Sequence, residues 1–278
     1  AFGLENKHSG ERRHKRSEVV ALVAKYKPEL LSDQTPEEES DLICQLPTMP
    51  RNNRELFLKT LDNSVSDEHK RKQFAKNLNK VGYEHYMIGD FQSALFYLEW
   101  ATAFDPNHGP AHYNLGSTYE ELEKPDRARF HYQTATECKG RAVDAAINNL
   151  ARLEILEGNI ITAIDLLLPS LKRVEDASIK FSLHKNLGWA YLQQNHYHEA
   201  ELHLRKALEL DSYCADAYYL LAQVQEAQGN KQNADLSWEN GFKYDSRNNK
   251  SKKSPWRLPE LDSWKSLARQ RLNAKGEK

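Results

Sequence analysis

The chain has 278 residues, of which 39% are hydrophobic and 28% charged, with a formal charge of -1 and a mean hydropathy of -0.80. That composition permits a continuous core but leaves a large polar surface, and it supplies no global field to draw the molecule onto nucleic acid or an anionic membrane. Three cysteines, Cys44, Cys138 and Cys214, contain no CxxC pair, which argues against a disulfide framework and a zinc site and for a reducing, cytoplasmic compartment; no apolar run approaches the roughly 18 residues of a membrane span.

Residues 1–66 read as a helical leader whose first ten residues are expected to lack order. A first helix is expected over Glu11 to Tyr26 with Val19, Val20, Leu22 and Val23 on its apolar side, and Pro28 limits it. Thr35-Pro36-Glu37-Glu38 combines an N-cap residue, proline at the first helical position and first-turn acids, so a second helix starts there. A third, around Arg51 to Leu61, carries Leu56, Phe57 and Leu61. From Ser66 a long helix is expected through Phe74, Leu78 and Val81 to Tyr86.

Beyond this point the chain repeats itself. Small residues recur twelve positions apart in Gly82 and Ala94, Gly116 and Ala128, Ala151 and Ala163, Gly188 and Ala200, and Ala222 and Ala234, and the alanines step by 34, 35, 37 and 34 residues. Two antiparallel helices that cross closely need small side chains at the crossing, so each unit reads as a helical hairpin. A further small residue follows each alanine by seven positions, at Ala101, Ala135, Ser170, Ala207 and Gly241, and is expected to mark the contact with the next unit. The units run about 75–108, 109–142, 144–177, 181–214 and 215–248.

Arg247 to Ser254 is polar and basic and reads as a linker. Pro259 then opens a final helix with Leu261, Trp264, Ala268 and Leu272 on one face. Because no sixth unit follows, this helix is expected to cap the array over Leu236 and Phe242; the competing possibility is that it reaches the groove and occupies it as an autoinhibitor.

The repeats resemble the tetratricopeptide repeat family over residues 75–248. Leu187-Gly188, Tyr191, Ala200, Leu204 and Ala207 fall at that family's signature places, as do Leu115-Gly116, Tyr119, Ala128, Tyr132 and Ala135, while the third and fifth units depart with Ala151 and Glu154, and Ala222 and Gln225. The resemblance implies an all-α, right-handed superhelical solenoid of about five repeats over 67–248, with the leader before it and a linker and capping helix over 249–278.

Asn114, Asn149 and Asn186 each precede the small residue of their unit by two positions, which puts them in one column of the first helices. Helix propensity does not ask for asparagine there, whereas its amide can pair with the backbone of an extended peptide, and certain peptide-binding members of the family carry such a ladder. Asn79, Tyr83, Tyr113, Asn148, Arg152, Lys185, Trp189 and Tyr219 are expected to complete a polar-aromatic, weakly basic groove. The cationic clamp by which one subclass holds chaperone tails is not matched, since Asn79, Tyr83, Asn114, Ala145 and Asn149 stand at its places and only Asn114 agrees.

His196, His198 and His203 do not converge at a metal-ligand spacing, Arg12 to Arg16 reads as a solvated basic run, and no nucleophile elbow, phosphate loop or carboxylate pair appears. The expectation is therefore a non-catalytic adaptor without cofactor or metal, binding a protein or peptide in its concave groove and not nucleic acid. Two alternatives are the soluble part of a membrane-tethered assembly factor and the regulatory region of a larger enzyme. The opening Ala1-Phe2-Gly3 lacks a methionine, so processing or excision from something longer is also expected.

Overall fold

The fold is given by a computed structural model that describes residues 66–140, 142–251 and 259–276, together with residues 55, 58, 59 and 62. The first two leader helices, the basic run at 12–16 and the stretch 252–258 lie outside the described residues. Among the described residues the structure is all-helical, in the order α1 (Glu68–Met87), α2 (Phe91–Phe104), α3 (Gly109–Glu121), α4 (Pro125–Glu137), α5 (Ala142–Leu156), α6 (Ile160–Arg173), α7 (Ala177–Gln193), α8 (Tyr197–Leu210), α9 (Ala215–Ala227), α10 (Lys231–Ser251) and α11 (Pro259–Gly276).

Local chemistry sets the helix starts. Asp67 accepts from the Lys70 amide at 2.8 Å, Asp90 from Ser93 at 3.2 Å, and Asp176 from Ser178 and Ile179 at 2.9 and 3.1 Å, each satisfying first-turn N–H groups. The turns inside the hairpins are one motif used five times. Gly89, Glu123, Gly158, Asn195 and Gly229 all take a left-handed backbone, with φ of 81°, 57°, 84°, 60° and 80°. The next amide bonds back to a carbonyl five residues earlier: Asp90 to His85, Lys124 to Tyr119, Asn159 to Glu154, His196 to Tyr191 and Asn230 to Gln225, at 2.8–3.0 Å.

Within each unit the predicted crossings are present. Ala94, Ala128, Ala163 and Ala200 are fully buried and Ala234 is 1% exposed. A Cβ on Gly82 would lie 2.6 Å from Leu98 Cγ, and one on Gly188 2.5 Å from Leu204 Cγ, so only glycine fits at these two crossings. Two of the small residues seven positions later meet the start of their own repeat's first helix: Ser170 Oγ donates to Asp144 Oδ1 at 2.6 Å, and a Cβ on Gly241 would lie 2.5 Å from Tyr219 and 3.3 Å from the Ala215 carbonyl.

A second pairing rule accompanies the crossings. The residue three places after the small residue of each first helix faces the one twelve places on: His85 stacks on Tyr97 at 5.2 Å, Tyr119 on His131 at 5.4 Å, and Tyr191 on His203 at 5.5 Å. In the fifth repeat Ser237 Oγ donates to Gln225 Oε1 at 2.8 Å. The third repeat substitutes an ion pair, with buried Glu154 held by Arg129 of α4 and by Asn159 Nδ2 at 2.9 Å. Both departures from the family pattern are thus matched by a changed partner.

The chain divides into two compact units, the first ending at Thr118 and the second beginning at Tyr119, within α3. In the first unit Leu58 is fully buried in a core with Phe74, Ala75, Leu78, Tyr97, Ala101, Phe104 and Ala111. In the second unit successive helices pack pairwise from α4 to α11, α5 contacts α7 and α7 contacts α9, and one core runs from Ala151 through Leu187, Tyr219 and Trp238 to Trp264 and Ala268. The expected linker from Arg247 is helical as far as Ser251, since nothing in the sequence breaks α10 before Ser254-Pro255.

Candidate functional site

In the first unit the expected site residues sit on α1 and α3. Asn114 Nδ2 donates to Asn79 Oδ1 at 2.9 Å, so the two asparagines clasp adjacent first helices. Tyr113 is half-buried beside them, and Tyr83 is 43% exposed.

In the second unit the same clasp recurs between α5 and α7, where Asn186 Nδ2 donates to Asn148 Oδ1 at 2.9 Å and to the Asn148 carbonyl at 3.3 Å. Asn149 Nδ2 donates instead to Tyr132 Oη at 3.1 Å, and its Oδ1 accepts from Asn148 at 3.3 Å. Lys185 is half-buried and lies 3.5 Å from Asp216 Oδ2. The asparagine column therefore has structural partners that its spacing did not reveal, and every bond except that between Asn148 and Asn149 joins a pair of helices.

Five residues expected on an open surface are inside. Asn114 is 9% and Asn186 1% exposed, Tyr219 is fully buried against Trp238 and Gly241, and Arg152 and Trp189 are each 6% exposed. For Arg152 and Trp189 the cover comes from α11. Arg152 Nη1 donates to Glu260 Oε1 at 3.0 Å, while Nη2 bonds Glu120. Trp264 meets Trp189 edge to face at 5.1 Å, Lys265 pairs with Asp245 at 3.0 Å, and Arg271 reaches Glu226 at 3.0 Å. Pro259 begins α11 with its fixed φ, and the four-residue step from Glu260 to Trp264 to Ala268 puts all three on one side, with exposures of 7%, 8% and 0%. Leu236 and Phe242, which the terminal helix was expected to cover, remain 53% and 39% exposed.

Burial opposes the charge on Arg152, but Glu120 and Glu260 outweigh it and hold the guanidinium pKa above its ordinary value. Two carboxylates share this one cation, and Glu120 Oε1 and Glu260 Oε2 are both buried without a hydrogen-bond partner, as are Asn186 Oδ1 and Tyr219 Oη. Burial, with Asp216 adding to it, pushes the Cys214 thiol up to about 11, so it stays protonated at neutral pH. A cleft of about 390 Å³ between α8, α9 and α10 is lined by Leu208, Tyr218, Leu221 and Leu236, and none of the predicted site residues borders it. Among the described residues no group of three or more His, Cys, Asp or Glu is placed to hold a metal ion, and no helix is long and apolar enough to cross a membrane.

Sequence reasoning missed Glu120, Glu260, Asp245 and Glu226, the acidic halves of these contacts. Only Glu260 left a trace, as a first-turn acid after Pro259 and four residues ahead of a tryptophan.

Comparison with known proteins agrees with this geometry. Residues 109–139, 143–212 and 185–241 each match a model of the tetratricopeptide repeat. Protein O-mannosyl-transferase TMTC3 of Mus musculus and that of Homo sapiens are each 30% identical over 165 residues, which is 55% of this chain but 18% of the relative. The chain thus spans less than a fifth of the length of the curated relatives it matches. Among solved structures, PilF of Pseudomonas aeruginosa is similar with a TM-score of 0.56 at 18% identity, covering 63% of this chain and 78% of that one. The APC/C heterotetramer Cut9–Hcn1 gives 0.56 at 19%, covering 74% and 42%. At these identities the likeness is one of fold alone. One turn motif used five times and one crossing rule, together with the matches across residues 109–241, show that this part of the chain is built of tetratricopeptide repeats, modules that are in general protein-interaction scaffolds.

Proposed function

We propose that the chain is a non-catalytic scaffold that holds a polypeptide segment of a partner on the face made by the first helices of its repeats. The observation that carries this reading is that α5, α7 and α9 already receive a helix of the same chain through side chains spread over three repeats: Arg152, Trp189 and Glu226. Tyr83, Tyr113, Asn79 and Asn114 in the first unit, and Asn148, Asn149 and Lys185 in the second, add aromatic surface, amides and positive charge to that reading. The amide groups that clasp neighbouring helices retain acceptor lone pairs for a ligand's N–H. Cys138 and Cys214 stand as cysteines outside any disulfide, which fits a reducing, cytoplasmic setting.

Photo-cross-linking tests the reading. A benzophenone amino acid at Lys185 reports on the first-helix face, and one at Leu202, 46% exposed on α8, reports on the second helices. A partner captured from Lys185 and lost on Asn149→Ala supports the assignment. Capture from Leu202 alone moves the binding surface elsewhere and refutes it.

The match to TMTC3 favours a second reading, in which these repeats are the interaction arm of a longer sugar-transferring protein. Protein isolated from its native source would then exceed the 32.1 kDa of these residues and transfer mannose to what the repeats capture; a native protein of that mass without transfer activity excludes it.

A further inference from the structure

We propose that α11 is a resident occupant of the second unit's binding face, and that a partner takes its place with a helix of the same chemistry: a carboxylate, an aromatic ring four residues later, a small residue eight residues later and a cation eleven residues later. This rests on the scaffold reading above and specifies its ligand. The pattern is that of Glu260, Trp264, Ala268 and Arg271, whose counterparts are Arg152, Trp189, the buried core and Glu226.

Three observations separate this arrangement from a simple end cap. First, α11 packs beside α10 but leaves two of its apolar groups, Leu236 and Phe242, exposed, while its own polar anchor reaches Arg152, 108 positions away in the third repeat. Second, the contact combines one buried ion pair, one aromatic pair and two partly exposed ion pairs, a mixture that resembles a binding interface more than a uniform apolar core. Third, the face and its occupant are imperfectly matched. Glu260 Oε2, Glu120 Oε1, Asn186 Oδ1 and Tyr219 Oη are all buried and unpaired on α11 and on α3, α7 and α9. Each has given up water without gaining a partner, which weakens the closed arrangement relative to a fully bonded one. A ligand that presents a donor to Asn186 Oδ1 or Glu120 Oε1 satisfies what α11 leaves open and so competes with it. The intramolecular copy holds its place by effective concentration rather than by optimal contacts.

Removing α11 uncovers Trp189 and leaves Arg152 facing Glu120 alone. An aromatic ring beside a cation is what an acidic-then-aromatic helix face complements. A basic or purely aliphatic segment would leave Arg152 with Glu120 as its one counterion, or Trp189 without a ring partner.

The test uses the full chain and a labelled peptide of residues 259–276. In the double variant Glu260→Lys, Trp264→Ala, hydrogen exchange should show α11 amides losing protection while α5 to α10 keep theirs. The peptide should then bind this variant at least tenfold more tightly than the wild-type chain. Peptides carrying Lys at the position of Glu260, or Ala at that of Trp264, should lose that binding. Continued protection of α11 in the double variant overturns the role given to the two anchors, and a peptide that binds both chains equally, or neither, overturns displacement. A cross-link from Lys185 that persists unchanged in the double variant refutes this inference and leaves the scaffold reading intact, whereas no cross-link from Lys185 in either chain refutes the scaffold reading itself.

Discussion

Replacing Gly188 by alanine sets two terms of opposite sign against each other. In an open helix the change would stabilise by roughly 0.5–1 kcal/mol, because glycine loses more backbone freedom on folding. Here the new Cβ would lie 2.5 Å from Leu204 Cγ, 2.8 Å from its Cδ2 and 3.2 Å from the Ala200 carbonyl oxygen. Leu204 is fully buried and the carbonyl belongs to α8 itself, so relief requires α7 and α8 to move apart, at a cost of about 1–3 kcal/mol for overpacking. The net expectation is a loss of about 1–2 kcal/mol, lowering the melting temperature by about 2–4 °C for each kcal/mol lost in a chain of this size. In an array of neighbours the loss should be local, so amide exchange of α7 and α8 should quicken more than that of α1 and α2. Shortening the obstacle should reverse the sign: in a Leu204→Ala background, Gly188→Ala should become neutral or stabilising. If Gly188→Ala alone raises stability, the crossing is not where the twelve-residue spacing puts it.

Glu123→Gly should stabilise by about 1 kcal/mol, measured by chemical denaturation, because Glu123 holds the left-handed turn position that glycine fills in three other repeats; Asn195→Gly should gain less, since asparagine tolerates that backbone. Arg129→Met should cost about 3 kcal/mol by leaving the buried Glu154 carboxylate with Asn159 alone, and Glu154→Gln in that background should recover most of the loss. Stability should also fall as pH drops from about 6.5 towards 4. His203 is held to about 4 by burial, with His184 and Lys206 adding to it, while Lys180 and Glu209 face its partner His184, whose pKa is lowered too. The unfolded chain, with an ordinary His value near 6.5, then takes up protons the folded chain refuses. Because the pair is half exposed, solvent screening limits the effect to roughly 1–2 kcal/mol, and His203→Gln should flatten the profile; a melting midpoint constant from about pH 7 to about pH 5 would contradict the assignment.

The repeat register was legible because it rests on sterics: two backbones in contact tolerate only glycine or alanine, and Gly82, Gly188 and the five alanines carry that constraint in their identity. The turn motif was harder to see. Its residues are Gly89, Glu123, Gly158, Asn195 and Gly229, so one shared backbone geometry is spelled with three residue types. The site was legible in position and not in partnership. Spacing placed Arg152 and Trp189 on the first-helix face, but their burial depends on Glu260 and Trp264, more than 70 residues away, and no local periodicity encodes a contact of that range. Likewise Asn114 and Asn186 looked like ligand groups because their helix-clasping partners, Asn79 and Asn148, lie 35 and 38 residues earlier in the chain.

The uneven length of the units has a practical consequence. The distance from turn to crossing never varies, whereas the steps of 35 and 37 are accommodated at the other end of the hairpins, where α5 and α7 reach 15 and 17 residues against 13 for α3 and α9. Four extra residues at about 1.5 Å each give α7 a ledge of about 6 Å. Foreign sequence grafted ahead of Asp176 would therefore meet a register that already tolerates variation, while even a single residue inserted beside Asn195 would displace the crossing and every contact beyond it.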